Sequence, residues 1–141
     1  MKKHRLQLDK SDIIFFSGMF KKSDFELLRG NIAIGHNRYS TAGSDSVKDA
    51  QPVSANYALG EISIVHNGNL INKNEVRDNL ISQGAIFHSN MDTENILHLI
   101  ARAHASHLKD RIIEAVKKCK GAYCLLILSR SKMFALRDPN G

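Results

Sequence analysis

Three polar segments concentrate the residue types that do chemistry: His36-Asn37-Arg38-Tyr39-Ser40-Thr41-Ala42-Gly43, His66-Asn67-Gly68-Asn69-Leu70 and Met91-Asp92-Thr93-Glu94. Arg38 reads either as a solvated surface arginine or as a planar fork that grips a carboxylate with two parallel hydrogen bonds. Asp92 reads either as a helix cap or as the acceptor of an ammonium group. Taken together, Arg38 and Asp92 can hold the two ends of an α-amino acid head group. By local pattern alone, Asn67-Gly68 is a type I′ hairpin turn. A helix rather than a matching strand is expected after it, which leaves such a turn without a partner. The alternative is an oxyanion hole. The Asn67 amide and the bare Gly68 N–H can point at one developing negative charge, and a residue without a side chain lets a substrate reach the backbone.

Other reactive residue types carry weaker signals. His104 and His107 lie at i, i+3, but no carboxylate or cysteine joins them at a useful spacing. From His98 to His104 a helix turns through about 600°, away from alignment. No metal site is expected. His36 and His66 each end a predicted strand on its inner face and read as structural histidines. Cys119 and Cys124 match no CxxC zinc or redox pattern. Cys124 sits in the apolar run Ala122–Leu128 and reads as a small buried hydrophobe. Unpaired cysteines of this kind suit a reducing cytoplasm.

The elements that must position these segments follow from pattern. Ile13-Ile14-Phe15-Phe16 reads as a buried strand. Ser23 is a cap type for a short helix, with Leu27 and Leu28 as its apolar contacts and Gly30 as its stop. Residues 31–36 alternate as a strand, and 37–55 read as a loop. Glu61–His66 forms a strand that ends at Asn67. Asn72 is the expected cap of a helix over 73–83, with Glu75 completing a capping box and Gly84 as the stop. Its inner stripe is Val76, Leu80 and Ile81. A second helix starts near Asp92 and buries Ile96, Leu97, Ile100 and Ala101. A third, 109–120, buries Ile112, Ile113 and Val116 and stops at Gly121. Strands over 122–128 and 132–137 close the chain. Strands arrive in adjacent pairs rather than in β-α-β alternation, which implies an α+β fold with mainly antiparallel pairing.

The bulk numbers bound the rest. The 141 residues suffice for one core, and 43% apolar with 24% charged residues is the balance of a folded protein. The apolar runs are too short for a membrane span, and the basic start lacks the apolar stretch of a secretory signal. The net charge is +6, but it divides as +3 over residues 1–30, −3 over 31–101 and +6 over 102–141. The acidic middle holds the chemistry. No basic run is interleaved with aromatics, so nucleic acid is not an expected partner.

Five segments in register resemble the glutaminase domain of the amidophosphoribosyltransferase family, within the N-terminal-nucleophile glutamine amidotransferases. They are Gly35–Ser44, Ala50-Gln51-Pro52-Val53, His66–Leu70, Asp92-Thr93-Glu94 and Arg137–Gly141. The resemblance implies a four-layer αββα sandwich with mainly antiparallel sheets, of which residues 1–141 supply part. It implies L-glutamine as the substrate and ammonia as the product, passed on to phosphoribosyl pyrophosphate in purine biosynthesis. By residue, it implies that Arg38 binds the glutamine carboxylate and that Thr41 lies in the same loop. Asp92 receives the α-ammonium, and Asn67 and Gly68 form the oxyanion hole.

In that family a first-position cysteine attacks the amide, with its own α-amino group as base. Cys119 and Cys124 lie late in this chain and have no free α-amino group. The sequence therefore reads as an internal part of a longer enzyme, without the first strands or the downstream phosphoribosyltransferase domain, and by itself inactive. An incomplete sheet is expected to expose an edge and to lower stability. No cofactor is implied in this segment. Magnesium is implied at the phosphoribosyltransferase site of the parent, and the parent is expected to be a homo-oligomer. Two other functions fit the same motifs: the glutaminase domain of another class II amidotransferase, of the glucosamine-phosphate synthase type, and a non-catalytic glutamine-binding or interaction module.

Overall fold

The computed structural model describes residues 21–27, 30–37 and 49–139. The strand expected at 13–16, the contacts of Leu27 and Leu28, and most of the loop at 38–48 lie outside the described features. Among the described residues the order is α1 (Lys22–Leu27), β1 (Val53–Tyr57), β2 (Gly60–Leu70), α2 (Lys73–Ser82), α3 (Asp92–Arg102), α4 (Leu108–Val116), β3 (Gly121–Ser129) and β4 (Met133–Arg137). The strands form one antiparallel sheet in the order β1-β2-β3-β4. This is the expected α+β arrangement.

Strand alternation sends Ile62, Ile64 and His66 of β2, and Tyr123, Leu125 and Ile127 of β3, to one face. Register places Phe134 and Leu136 of β4 beside Ile127 and Leu125 on that face. There α3 supplies Ile96 and Ile100, and α4 supplies Ile112, all nearly inaccessible to solvent. Helix α3 lies against β1 and β2, with α2 and α4 beside it. The opposite face carries Asn67, Cys124 and Arg137, which are exposed and in register across three strands.

Several expectations need correction. Residues 53–57 form a strand, not the end of a loop, and Ser54 Oγ lies 2.8 Å from Ser63 Oγ across the β1–β2 pair. Residues 31–36 carry no strand assignment. Ser23 lies inside α1 rather than at its cap. Asn72 makes no side-chain cap bond. Its amide instead accepts from Lys120 N–H at 2.9 Å and donates to Lys118 C=O at 2.9 Å, tying the start of α2 to the approach of β3. Ile81 and Ile113 face outward, 49% and 39% exposed, because the helices contact the sheet along narrower stripes than the sequence implies. Helix α4 ends at Val116, and Gly121 instead opens β3. Arg102 ends α3, so His104 and His107 do not share a helix. Cys124 is exposed, since β3 turns it away from the helices.

The stop at Gly84 holds. Gly84 N–H donates to Ile81 C=O at 2.8 Å and Ala85 N–H to Leu80 C=O at 3.0 Å, with Gly84 at φ +85°. That is a Schellman close, in which glycine takes the left-handed position.

Candidate functional site

The segment His66–Leu70 lies at the end of β2, beyond the point where β1 stops pairing. The last β1–β2 pair is Val53↔Ile64, whereas β3 accompanies β2 to Leu70↔Gly121. Asn67-Gly68 is therefore inside a strand and not at a hairpin turn. Gly68 has φ +144° and sits opposite Tyr123. A Cβ built there would lie 2.2 Å from the Ala122 carbonyl oxygen, so the β3 backbone leaves no space for a side chain. A glycine that looks like turn chemistry in the sequence is required here by close strand approach.

Asp92, the first residue of α3, faces this segment. Its Oδ1 lies 3.1 Å from His66 Nδ1, and its Oδ2 accepts from the Leu70 N–H at 3.0 Å. One carboxylate thus spans the residues on both sides of Asn67-Gly68-Asn69. Burial works to raise the Asp92 pKa. Hydrogen bonds from His66 and Leu70, with the charges of His66 and Lys73, more than offset this and hold the carboxyl below the usual range. The Asp92 side chain is 15% exposed and that of His66 only 1%. A carboxylate has about four acceptor positions, so two bonds leave capacity for an ammonium. Against the expectation of a satisfied structural histidine, His66 bonds Asp92 through Nδ1 but leaves Nε2 buried without a hydrogen-bond partner among the described residues.

The backbone of His66 is held as well. Its N–H donates to Gln51 Oε1 at 2.6 Å, and its C=O accepts from Gln51 Nε2 at 3.1 Å. His36 Nε2 lies 3.1 Å from the same carbonyl. Gln51 belongs to one of the recognised segments, but the sequence gives it no role. The contact links residues 15 apart through a side chain, which no periodicity reports.

A cavity of about 500 Å³ lies on the sheet face opposite the helices, lined by His36, Val65, Asn67, Cys124, Leu126 and Arg137 among others. Of the expected site residues, the structure sets Asp92 against His66 and Leu70, the residues that flank Asn67 and Gly68, while the Asn67 side chain lies on the opposite sheet face. Arg38 and Thr41 lie outside the described residues. The Cys119 thiol is pushed up to about 11 by burial and by the Asp92 charge, which makes it a poor nucleophile. Among the described residues no three metal-ligating side chains gather. No described helix is long and apolar enough to cross a membrane.

Comparison with known proteins adds the family. Residues 36–141 match the model described as "Glutamine amidotransferase domain". The chain is 45% identical over 125 residues to amidophosphoribosyltransferase 2, chloroplastic, of Arabidopsis thaliana, covering 89% of this chain and 22% of that protein. It is 45% identical over 114 residues to the amidophosphoribosyltransferase of Rhizobium etli, covering 81% and 23%. Among solved structures it resembles the glutamine phosphoribosylpyrophosphate amidotransferase from B. subtilis complexed with ADP and GMP. That match has a TM-score of 0.69 at 36% identity, over 75% of this chain and 23% of the other. The chain thus spans less than a quarter of the length of these three proteins.

Proposed function

The chain belongs to the glutamine amidotransferase domain family, and from that premise we propose that it forms the glutamine-binding part of an amidophosphoribosyltransferase. The parent enzyme would release ammonia from L-glutamine and use it to displace pyrophosphate from phosphoribosyl pyrophosphate, for purine biosynthesis. The observation that supports this most is the packing of His66–Leu70 around the Asp92 carboxylate. It sets a carboxylate with spare acceptor capacity, the proposed acceptor for the α-ammonium, against the residues on either side of Asn67-Gly68-Asn69.

In this reading Arg38 pairs with the substrate carboxylate, and Thr41 belongs to the same loop. Asp92 accepts from the ammonium while keeping its bonds to His66 and Leu70. The Asn67 side-chain amide and the Gly68 N–H stabilise the oxyanion that forms when the amide carbon is attacked. The attacking group is a cysteine thiolate whose own α-amino group takes its proton. Cys119 and Cys124 each lie within the chain and lack that amine. Neither of them is therefore proposed as the nucleophile, and the residues named here bind and orient the substrate. The remaining parts of the parent chain and further copies of it are the proposed partners, in a reducing compartment such as the cytoplasm.

Titration calorimetry with L-glutamine tests the reading. Saturable binding is expected, and Arg38→Ala should weaken it about 10- to 100-fold, the worth of a charge-assisted pair. Equal and negligible heats from wild type and variant would show that no glutamine site exists in this chain.

A further inference from the structure

The inner edge of β2 carries a second layer of organisation, and it deepens the glutamine-binding reading on which it rests. Beyond Val53↔Ile64 this edge has no β1 neighbour. Antiparallel strands direct successive N–H groups to alternate sides. Ile71 N–H donates to Lys120 C=O on the β3 side at 2.9 Å, and His66 N–H donates away from β3 to Gln51. The alternation therefore assigns the N–H groups of His66, Gly68 and Leu70 to one edge. Two of the three are taken by side chains, His66 by Gln51 Oε1 and Leu70 by Asp92 Oδ2. Gly68 lies between them.

We propose that Gln51 is a positioning residue. Its primary amide replaces a strand neighbour at His66, matching N–H with Oε1 and C=O with Nε2. With Asp92 at the other end it holds the edge so that the central Gly68 N–H stays directed at a substrate carbonyl oxygen. A main-chain neighbour from β1 would continue along the edge and cover Gly68. A side-chain amide ends after one residue, so it completes the pairing at His66 without reaching Gly68. Any side chain shorter than Gln51, or with one polar atom fewer, loses one of the two bonds.

Amide hydrogen exchange of the full chain without ligand tests the brace, and glutamine titration of the same samples tests its purpose. In wild type the His66 amide should be protected and the Gly68 amide should exchange fast. In Gln51→Ala, His66 should exchange about tenfold faster or more, with Ile64 unchanged, as expected for loss of a local hydrogen bond. Glutamine affinity should fall by about the same factor. The Gln51→Glu variant supplies a readout that a general loss of packing would not move. Its ionised carboxylate can accept from His66 N–H but cannot donate to the carbonyl. Lowering the pH through the carboxyl range restores a donor, so its defect should shrink in acid relative to wild type.

A protected Gly68 amide in wild type, unchanged His66 exchange in Gln51→Ala, or a Gln51→Glu defect independent of pH would each overturn the proposal. If wild type binds no glutamine, the function reading fails, and the ligand-free exchange still decides whether the brace exists. If wild type binds and Gln51→Ala binds equally well, the reading stands and the positioning role fails.

Discussion

Asp92 and Glu94 sit in the same turn of α3, two residues apart, and do different work. Glu94 is closed off. Its Oε1 accepts from His88 N–H at 2.9 Å, and its Oε2 accepts from Ser89 N–H at 2.8 Å and Ser89 Oγ at 2.7 Å. The side chain is 7% exposed, and the bonds all serve to pin the connection between α2 and α3. Asp92 makes two bonds and keeps twice that exposure. Both carboxyls lie below the usual range for the same physical reason. Burial opposes the charge, and hydrogen bonds, with nearby positive charge, overcome it. A lowered pKa therefore does not mark the functional member of the pair. In the proposed function it is the unused acceptor capacity of Asp92, next to the strand end at His66–Leu70, that distinguishes the two.

Removing Glu94 should give the largest effect on stability. Glu94→Ala leaves two backbone donors and a hydroxyl without their acceptor, and stranded buried groups cost about 1–3 kcal/mol each. A loss of about 3 kcal/mol or more is expected in urea unfolding. If Glu94→Ala costs less than Asp92→Ala, the assignment of the two roles is reversed.

Asp92→Asn should do the opposite, costing about 1 kcal/mol of stability while lowering glutamine affinity about 10- to 100-fold. Calorimetry beside urea unfolding separates the two effects. Loss of stability without loss of binding would make Asp92 as structural as Glu94.

Acid should expose both residues at once. A carboxyl whose folded pKa is depressed stabilises the fold above its unfolded pKa, and that contribution is lost as pH falls through the lower folded value. Stability should therefore decline below about pH 4. Asp92→Asn and Glu94→Gln should each flatten that decline, measured by urea midpoints across the acid range. A wild-type midpoint that stays level there would contradict both hydrogen-bonded carboxylates.

The smallest effect is expected at Ile81. It belongs to the sequence-derived stripe of α2 but lies 49% exposed. Ile81→Lys should change stability by no more than about 0.5 kcal/mol in the same urea assay, as exposed positions usually do.

That position also shows what the sequence could convey. Helical spacing correctly marked Val76, Leu80, Ile96 and Ile100, because burial follows period there. It overextended to Ile81 and Ile113, where the apolar residue type is present but the described neighbours leave 49% and 39% of the residue exposed. The strand Val53–Tyr57 was hidden by its small residues Ser54 and Ala55 and by the Pro52 before it, and only pairing with β2 defines it. The motifs carrying Asn67, Gly68 and Asp92 were legible because each is local. Their meeting was not, because the His66–Asp92 bond joins residues 26 apart and the Gln51–His66 bonds residues 15 apart. Cys124 misled because an apolar run conceals which of its alternating members a strand turns outward.

The most direct test of the glutamine site is an L-glutamine titration of the isotope-labelled chain, following the Gly68 backbone amide and the Asn67 side-chain amide by NMR. Saturable shifts at both, with midpoints moved together to about 10- to 100-fold higher glutamine in Asp92→Asn while that variant stays folded, are the predicted result. Glutamine that leaves both signals unmoved at saturating concentration would contradict the account.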